Sequence, residues 1–439
     1  MKKSLVALAA LAVIGAASAQ SSVTMYGAVE PTVDFGYKNR TSTSVDTFNA
    51  AGVLTGTTRT HTEYKPGFRV NDGNDQGAGT SRIGWLGTED LGGGLKAKFQ
   101  LEMGLRIDDG CVTEAGSACS SGQSGGNLFG RNAWLGLEGG FGEVRIGRQV
   151  LGSFGVQGKS WAAGSSSGLY EAGGVTTAMG GVRFANAIKY ITPNFGGFTG
   201  TVTLGAPEVA AGANNTSATT AAGIVSTTDA KSKTGIDLAL EYANGPLYVG
   251  GGYNRTGSNS GTNNGLAGVL NSVNRTEARS KQHTLGASYD FGVIKPFINY
   301  TRSNVDASNV TVTGGTSAAA LATNTPTKAK AWTLGLRAPI GAATLIAAYG
   351  TEKTTGAGTA LTASAVTGTR AFDGKEKAFQ IGAQYPLSKR TLLEVNYGQY
   401  KNDNTTRDTT LAAGVVTGST LTTSNNKISA LNFGIKHSF

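Results

Sequence analysis

The sequence predicts an all-β chain, with sixteen antiparallel strands closed into a barrel that crosses a membrane. Three observations predict it. The first is composition: 439 residues with 66 Gly and 9 Pro, of which 15% are charged and 39% hydrophobic. A typical soluble domain carries roughly 25% charged and 45–50% apolar residues, so this chain is short of both. It also lacks the high charge and Pro content of a disordered chain. The second is a period of two, one face apolar and the other polar, recurring from about residue 23 to the end. The third is a regular alternation of short and long connectors. Strands with two unlike faces suit a sheet that meets two different solvents.

In chain order, the first segment is not part of that sheet. Lys2 and Lys3 precede thirteen unbroken apolar residues, Leu5 to Ala17, and Ala17-Ser18-Ala19 has the small-x-small form of a cleavage site. This predicts a secretory signal peptide over residues 1–19, too short to span a bilayer as a helix, and a mature domain over 20–439. Cleavage lowers the formal net charge from +10 to +8. No later segment offers eighteen consecutive apolar residues. Export therefore ends in the periplasm, the medium or an outer membrane, and in the last only a closed barrel satisfies its backbone groups.

The alternation is clearest in Leu95–Ile107. Leu95, Ala97, Phe99, Leu101, Met103, Leu105 and Ile107 fall on one face, and Lys96, Lys98, Gln100, Glu102, Gly104 and Arg106 on the other. Thr234–Tyr242, Lys377–Tyr385 and the terminal Leu431–Phe439 repeat it. Tight connectors are expected at Glu89–Gly94, Gly139–Gly142, Pro193–Gly197, Asn244–Pro246, Phe291–Gly292, Pro339–Gly341 and Pro386–Arg390. Long polar segments lie near 39–80, 108–130, 151–185, 207–232, 256–279, 304–328, 353–374 and 402–425. Seven short turns and eight long loops imply sixteen strands with both ends on the short-turn side, the arrangement of outer-membrane barrels. Thirteen aromatics, among them Tyr26, Tyr37, Trp85, Tyr248, Trp332 and Tyr397, cluster near strand ends and partly fit an interfacial girdle.

Cys111 and Cys119, the only cysteines, have seven residues between them. In an oxidising compartment they are expected to form a disulfide closing one small loop. His61, His283 and His437 are the only histidines, and none is placed as a lumen base for a hydrolase. The same scarcity argues against a metal site, and no cofactor motif is present. The acidic NDGND at 71–75 lacks full EF-hand spacing and reads as a solvated loop. Basic residues are dispersed, without a basic run or stacking motif, which excludes nucleic acid as a partner. A first strand starting near residue 23 leaves no room for the plug of an energy-coupled transporter.

Five ordered segments resemble the general diffusion porins of Gram-negative bacteria, in particular their beta-proteobacterial branch. They are SSVTMYGAVEPTVDFGY (21–37), SRIGWLGTEDLGGGLKAKFQLEMG (81–104), LFGRNAWLGLEGGFGEVRIGRQ (128–149), ANAIKYITPNFGGF (185–198) and GIKHSF (434–439). The resemblance implies a homotrimer of water-filled channels in the outer membrane, passing ions and small hydrophilic solutes. It implies that the third long loop, about 151–185, folds inward as a constriction. It also implies contacts with outer-membrane lipid and lipopolysaccharide, and with the barrel assembly machinery through a signal ending in Phe439.

Carried over by motif, the constriction arginines are Arg82 in SRIGW, Arg131 in GRNAW and Arg183 in VRFANAIKY. Alternation sets Arg82 opposite the oily Ile83 and Trp85. It turns Lys189 inward, and Arg183 with it if that strand is regular. The loop carries one acid, Glu171, where many family members carry several, so the throat is expected to be net positive and anion-preferring. A lumen cation about 5 Å from an anion contributes about 0.8 kcal/mol at the dielectric constant of water. Lys96, Lys98 and Arg106 reinforce the preference, while Glu30, Asp34 and Glu102 oppose it. A substrate-specific anion channel, for phosphate or a dicarboxylate, shares the fold and the arginines.

Overall fold

Hydrocarbon offers no partner to a peptide N–H or C=O, so a spanning sheet must pair every strand on both sides. The computed structural model describes residues 22–72, 81–108, 110, 112–113, 128–161, 182–206, 218–219, 224–266, 269–313, 319–324, 326–361, 366–412 and 415–439. There the chain is a closed antiparallel barrel. Its first strands are β1 (Ser22–Val29 and Pro31–Asn49), β2 (Leu54–Tyr64, Phe68–Asp72 and Arg82–Gly92), β3 (Leu95–Leu105), β4 (Asn132–Gly139) and β5 (Gly142–Val150). A helix, α1 (Gly152–Lys159), precedes β6 (Arg183–Ile191), β7 (Phe198–Gly205), β8 (Ile224–Asn244), β9 (Leu247–Leu266) and β10 (Val269–Tyr289). The rest are β11 (Lys295–Thr313), β12 (Ala319–Asn324 and Thr327–Ile340), β13 (Ala343–Leu361), β14 (Val366–Pro386), β15 (Thr391–Ala412) and β16 (Val415–Ser438). β1 pairs with β16, Thr32 opposite Gly434 and Ala28 opposite Ser438, and this closes the ring.

All seven tight turns fall where the sequence places them, from β2–β3 to β14–β15. On the other side the strands continue far past the membrane. About 9–11 residues suffice to cross it, yet β8 has 21 residues, β14 has 21, β15 has 22 and β16 has 24. Much of 39–64, 256–279, 353–374 and 402–425, which reads as loop, is paired ladder; Thr43, for example, lies opposite Ser424 on one side and Thr60 on the other. These segments are polar on both faces, so they carry no alternation, but their β-branched Thr residues suit a ladder bonded through the backbone. The strands from β3 to β7 stay short, at 8–11 residues. Among the described residues, the wall is therefore low on one side and tall on the other.

Register fixes the two faces. Leu240 is 58% exposed, while Asp237, on the other face of the same strand, is fully buried. Leu135, Ile146, Leu285, Leu334 and Ile381 stand outward in the same way. Most of the expected girdle aromatics share that outer face, including Tyr190, Tyr289, Trp332, Tyr349, Tyr385 and Tyr397. Tyr26, Tyr37 and Tyr248 do not: Tyr26 bonds Glu102, Tyr37 lies under the Arg69 guanidinium and Tyr248 bonds Glu241, so all three belong to the lumen.

Closure reaches the last residue. The Gly27 N–H donates to the Phe439 carbonyl at 3.0 Å, and the Phe439 N–H donates to the Gly27 carbonyl at 3.1 Å. The Phe439 ring lies over Gly27, where an added Cβ would stand 2.5 Å from ring Cζ and 2.6 Å from the Arg82 carbonyl oxygen. Only a residue without a side chain admits the ring. Gly27→Val is expected to destabilise the barrel by about 1–3 kcal/mol through overpacking, read as a lower unfolding midpoint on heat-modifiability gels. An unchanged midpoint would show that the ring is not held there.

Candidate functional site

The charged lumen is built on the polar face of the strands all round the barrel. The beginning of the 151–185 segment turns into it, and residues 162–181, with Glu171, lie outside the described residues. Helix α1 packs on the inner wall of β7–β10. Its buried positions Gly152, Ser153, Val156 and Gln157 recur at helical spacing on one face. The wall beneath is shaved flat. An added Cβ at Gly252 would meet Ser153 at 2.7 Å, and one at Gly250 would meet Val156 at 3.0 Å.

Leu151, the N-cap residue of α1, supplies no side-chain cap; Asp237 of β8 caps the helix from the wall beneath it. Its carboxylate accepts from the Gly152 N–H at 2.7 Å, the Ser153 N–H at 3.3 Å and the Ser153 hydroxyl. A carboxylate at a helix N-terminus satisfies backbone donors that would otherwise be buried unpaired. At the other end Lys159 pairs with Glu241 at 2.6 Å, and the Asn299 side-chain amide donates to the Ser160 hydroxyl at 2.8 Å. Lys189 points inward, as alternation requires, and donates to the Val150 carbonyl at 2.7 Å. The segment is thus tied to the wall at both ends of its helix.

Opposite charges interlock on β1–β5. Glu102 accepts from Arg131 Nε at 2.7 Å, from the Tyr26 hydroxyl at 2.7 Å and from Asn132 at 3.3 Å, with Arg82 Nε at 3.8 Å. Arg82 and Arg131 therefore share one inward carboxylate. Arg145 grips Glu143 through two bonds of 2.8 Å and stacks on the Trp134 ring with its Cζ 4.1 Å from the centroid. Lys98 joins the same patch, 2.6 Å from Glu138 and 3.7 Å from Glu143. Lys96 is exposed at the foot of β3, and Arg106, one residue past that strand, pairs with Asp108 at 3.3 Å. Asp34 takes Arg69 of the neighbouring β2 at 2.7 Å, and across the seam Glu30 takes Lys436 at 2.9 Å.

One expectation fails. β6 carries a bulge between Phe184 and Ala187, with Asn186 at φ 47°. The extra residue reverses the parity above it. Phe184 turns inward onto Gly205 and Gly235, and Arg183, opposite Val150, shares the outward parity instead of that of Lys189. Two cations escaped the sequence reading. Arg145 lies between the oily Val144 and Ile146, the same signal that placed Arg82, whereas Arg69 lies in a segment that reads as loop. Cys111 and Cys119 lie outside the described residues.

A family profile described as Gram-negative porin matches residues 5–405. The chain belongs to that family. Outer membrane porin protein 32 of Delftia acidovorans is 31% identical, covering 100% of both chains. An outer membrane porin protein of Bordetella pertussis is 31% identical over 91% of this chain and 94% of its own length. The trimer form of OmpT of Vibrio cholerae shares the fold, with a TM-score of 0.50 at 14% identity over 95% of this chain and 99% of that one. This porin is therefore a passive channel of the Gram-negative outer membrane and not an enzyme.

Hydrogen bonds to a charged acceptor contribute about 1.5–3 kcal/mol each. Asp237→Ala removes the acceptor for three donors of α1 and is expected to loosen the segment. Single-channel recordings should show larger current fluctuations and closure at lower voltage than wild type. A trace indistinguishable from wild type would mean that Asp237 does not anchor the segment.

Proposed function

We propose that this porin is a general diffusion channel that prefers anions, working as a homotrimer after removal of residues 1–19. The observation that carries the preference is how the lumen ion pairs are layered. Arg131 is 20% exposed above Glu102 at 7%, Arg69 is 22% exposed above Asp34 at 0%, and Lys159 is 60% exposed above Glu241 at 12%. Arg82 and Arg145 follow the same order, and Lys98–Glu138 reverses it. The carboxylates are sunk in the wall and hold the cations upright, so a passing ion meets guanidinium and ammonium groups first. With Glu171 as the single acid of the 151–185 segment, the opposing field is weak, and Arg82, Arg131 and Arg145 set the sign.

A general sieve fits the inward rings better than a sugar channel does. Tyr26, Trp134 and Tyr248 stand on separate strands, each engaged by a charged neighbour, and form no continuous slide. The trimer reading is supported by Leu135, Ile146, Ile188 and Leu204, which stand outward and exposed on the neighbouring strands β4–β7. The outward parity of Arg148, which donates to the Gly130 carbonyl, suits a rim or subunit contact.

Reversal potentials across a planar bilayer in a KCl gradient test the preference. Chloride should exceed potassium in permeability by severalfold at low salt and far less at 1 M, where the Debye length is about 3 Å. The double variant Arg82→Ser, Arg131→Ser should move the reversal potential toward zero. A cation preference in the wild type would end this reading, and saturable flux of one anion would replace the sieve with a specific channel.

A further inference from the structure

The acids of β1–β5 are footings for cations, but a second acidic row on the inner wall holds no cation. Glu352 of β13, Glu376 of β14, Asn402 of β15 and Asn426 of β16 are direct neighbours from strand to strand. Glu352 is only 1% exposed, and its partner on β12 is the buried Ala331, which offers it nothing but a methyl group. Lys353, Lys375 and Lys377 adjoin the two acids in sequence, so alternation turns them to the outer face, where they are exposed. Neither Glu352 nor Glu376 has an ion pair among the described residues.

Each carboxylate has one oxygen engaged and one bare. The Thr354 hydroxyl donates to Glu352 Oε1 at 3.0 Å, and the Asn402 side-chain amide donates to Glu376 Oε1 at 2.9 Å. Both Oε2 atoms are buried and accept no hydrogen bond. Like charges directly opposite across strands repel, and a buried carboxylate is costly unless it is paired. The amides of the row are a separate signal, because they carry no charge. Oδ1 of Asn402 and Oδ1 of Asn426 are also buried without a donor. A row of buried oxygens that lacks N–H and O–H partners is satisfied by a hard cation.

We infer that Glu352 and Glu376 hold a Ca²⁺ ion against the inner wall. Neighbouring strands lie about 4.8 Å apart and Ca²⁺–oxygen bonds measure about 2.3–2.6 Å, so one ion reaches both of two directly opposed carboxylates. The Oε2 atoms anchor it, and the Asn402 amide oxygen is the next donor in the row. Lumen water supplies the rest of the roughly six to eight oxygens that Ca²⁺ takes. Mg²⁺ demands a near-ideal octahedral shell, which two side chains fixed by sheet register suit less well. The row offers no nitrogen or sulfur ligand to a softer metal. Bound there, the ion cancels two negative charges in the lumen and works with the basic wall of β2–β5.

The test uses the full-length purified porin in detergent, stripped of divalent ions with a chelator and titrated with CaCl₂ by calorimetry. The wild type should bind Ca²⁺ with a Kd of about 10⁻⁴–10⁻³ M, the range of extracellular sites, and MgCl₂ should bind more weakly. The double variant Glu352→Gln, Glu376→Gln keeps the side-chain volumes and should lose at least about tenfold, because affinity follows ligand charge. Tb³⁺ is the second probe. The Tyr400 hydroxyl accepts from the Asn402 amide at 3.1 Å, so Tyr400→Phe should dim tyrosine-sensitised Tb³⁺ emission and leave Ca²⁺ affinity in place. A double variant that binds like the wild type would overturn the inference. So would a wild type that takes up no Ca²⁺, the result expected if the two acids share a proton. If the double variant fails to insert, the wild-type titration and the Tyr400→Phe emission decide, and undimmed emission overturns the site. Binding is read without current, so its failure and that of the anion preference are separate results.

Discussion

Each peptide group within the hydrocarbon has to find its partner in the protein, and the rest of the molecule depends on that demand. It forces the sheet to close, and closure divides the side chains between an outer oily set and an inner wet one. The inner set is then confined to a narrow space. Charges there are crowded enough to pair, but remain close to water. The channel chemistry follows from this crowding. Glu102, Glu143 and Asp34 act as footings for arginines, and Asp237 as a footing for a helix end, so acids that would oppose an anion in free solution instead fix the cations and the inward segment.

The same division of faces governs the outside. Below the rings the wall is apolar and suits acyl chains. Among the described residues the paired ladder runs far past the outward rings on β8–β11 and β13–β16, and it is shorter on β3–β7.

Most of the architecture was legible in the sequence because strands facing two solvents write their period into it. Leu95–Ile107 gave its faces residue by residue, and the Gly- and Pro-containing turns gave the strand count. Arg82 and Lys189 were readable from their oily neighbours, and Arg145 was equally so. Arg183 was not, because a bulge at Asn186 shifts parity without leaving a mark in the hydrophobic pattern. The tall hairpins were hidden for a different reason: beyond the membrane both faces are wet, so the ladder is held by backbone bonds alone. Nor does the sequence announce that Gly250 and Gly252 lie beneath a helix some hundred residues earlier in the chain, since only the register of β8–β10 brings them there.

The joint between Gly27 and Phe439 bears on timing. Its two halves lie far apart along the polypeptide, so the ring cannot be sealed until translation and export have delivered the later side chain. Up to that moment the sheet has two bare margins, each able to pair with a foreign strand. A chain of this design needs an escort that covers those margins, and a nascent copy lacking Phe439 would arrive at the membrane without its clasp.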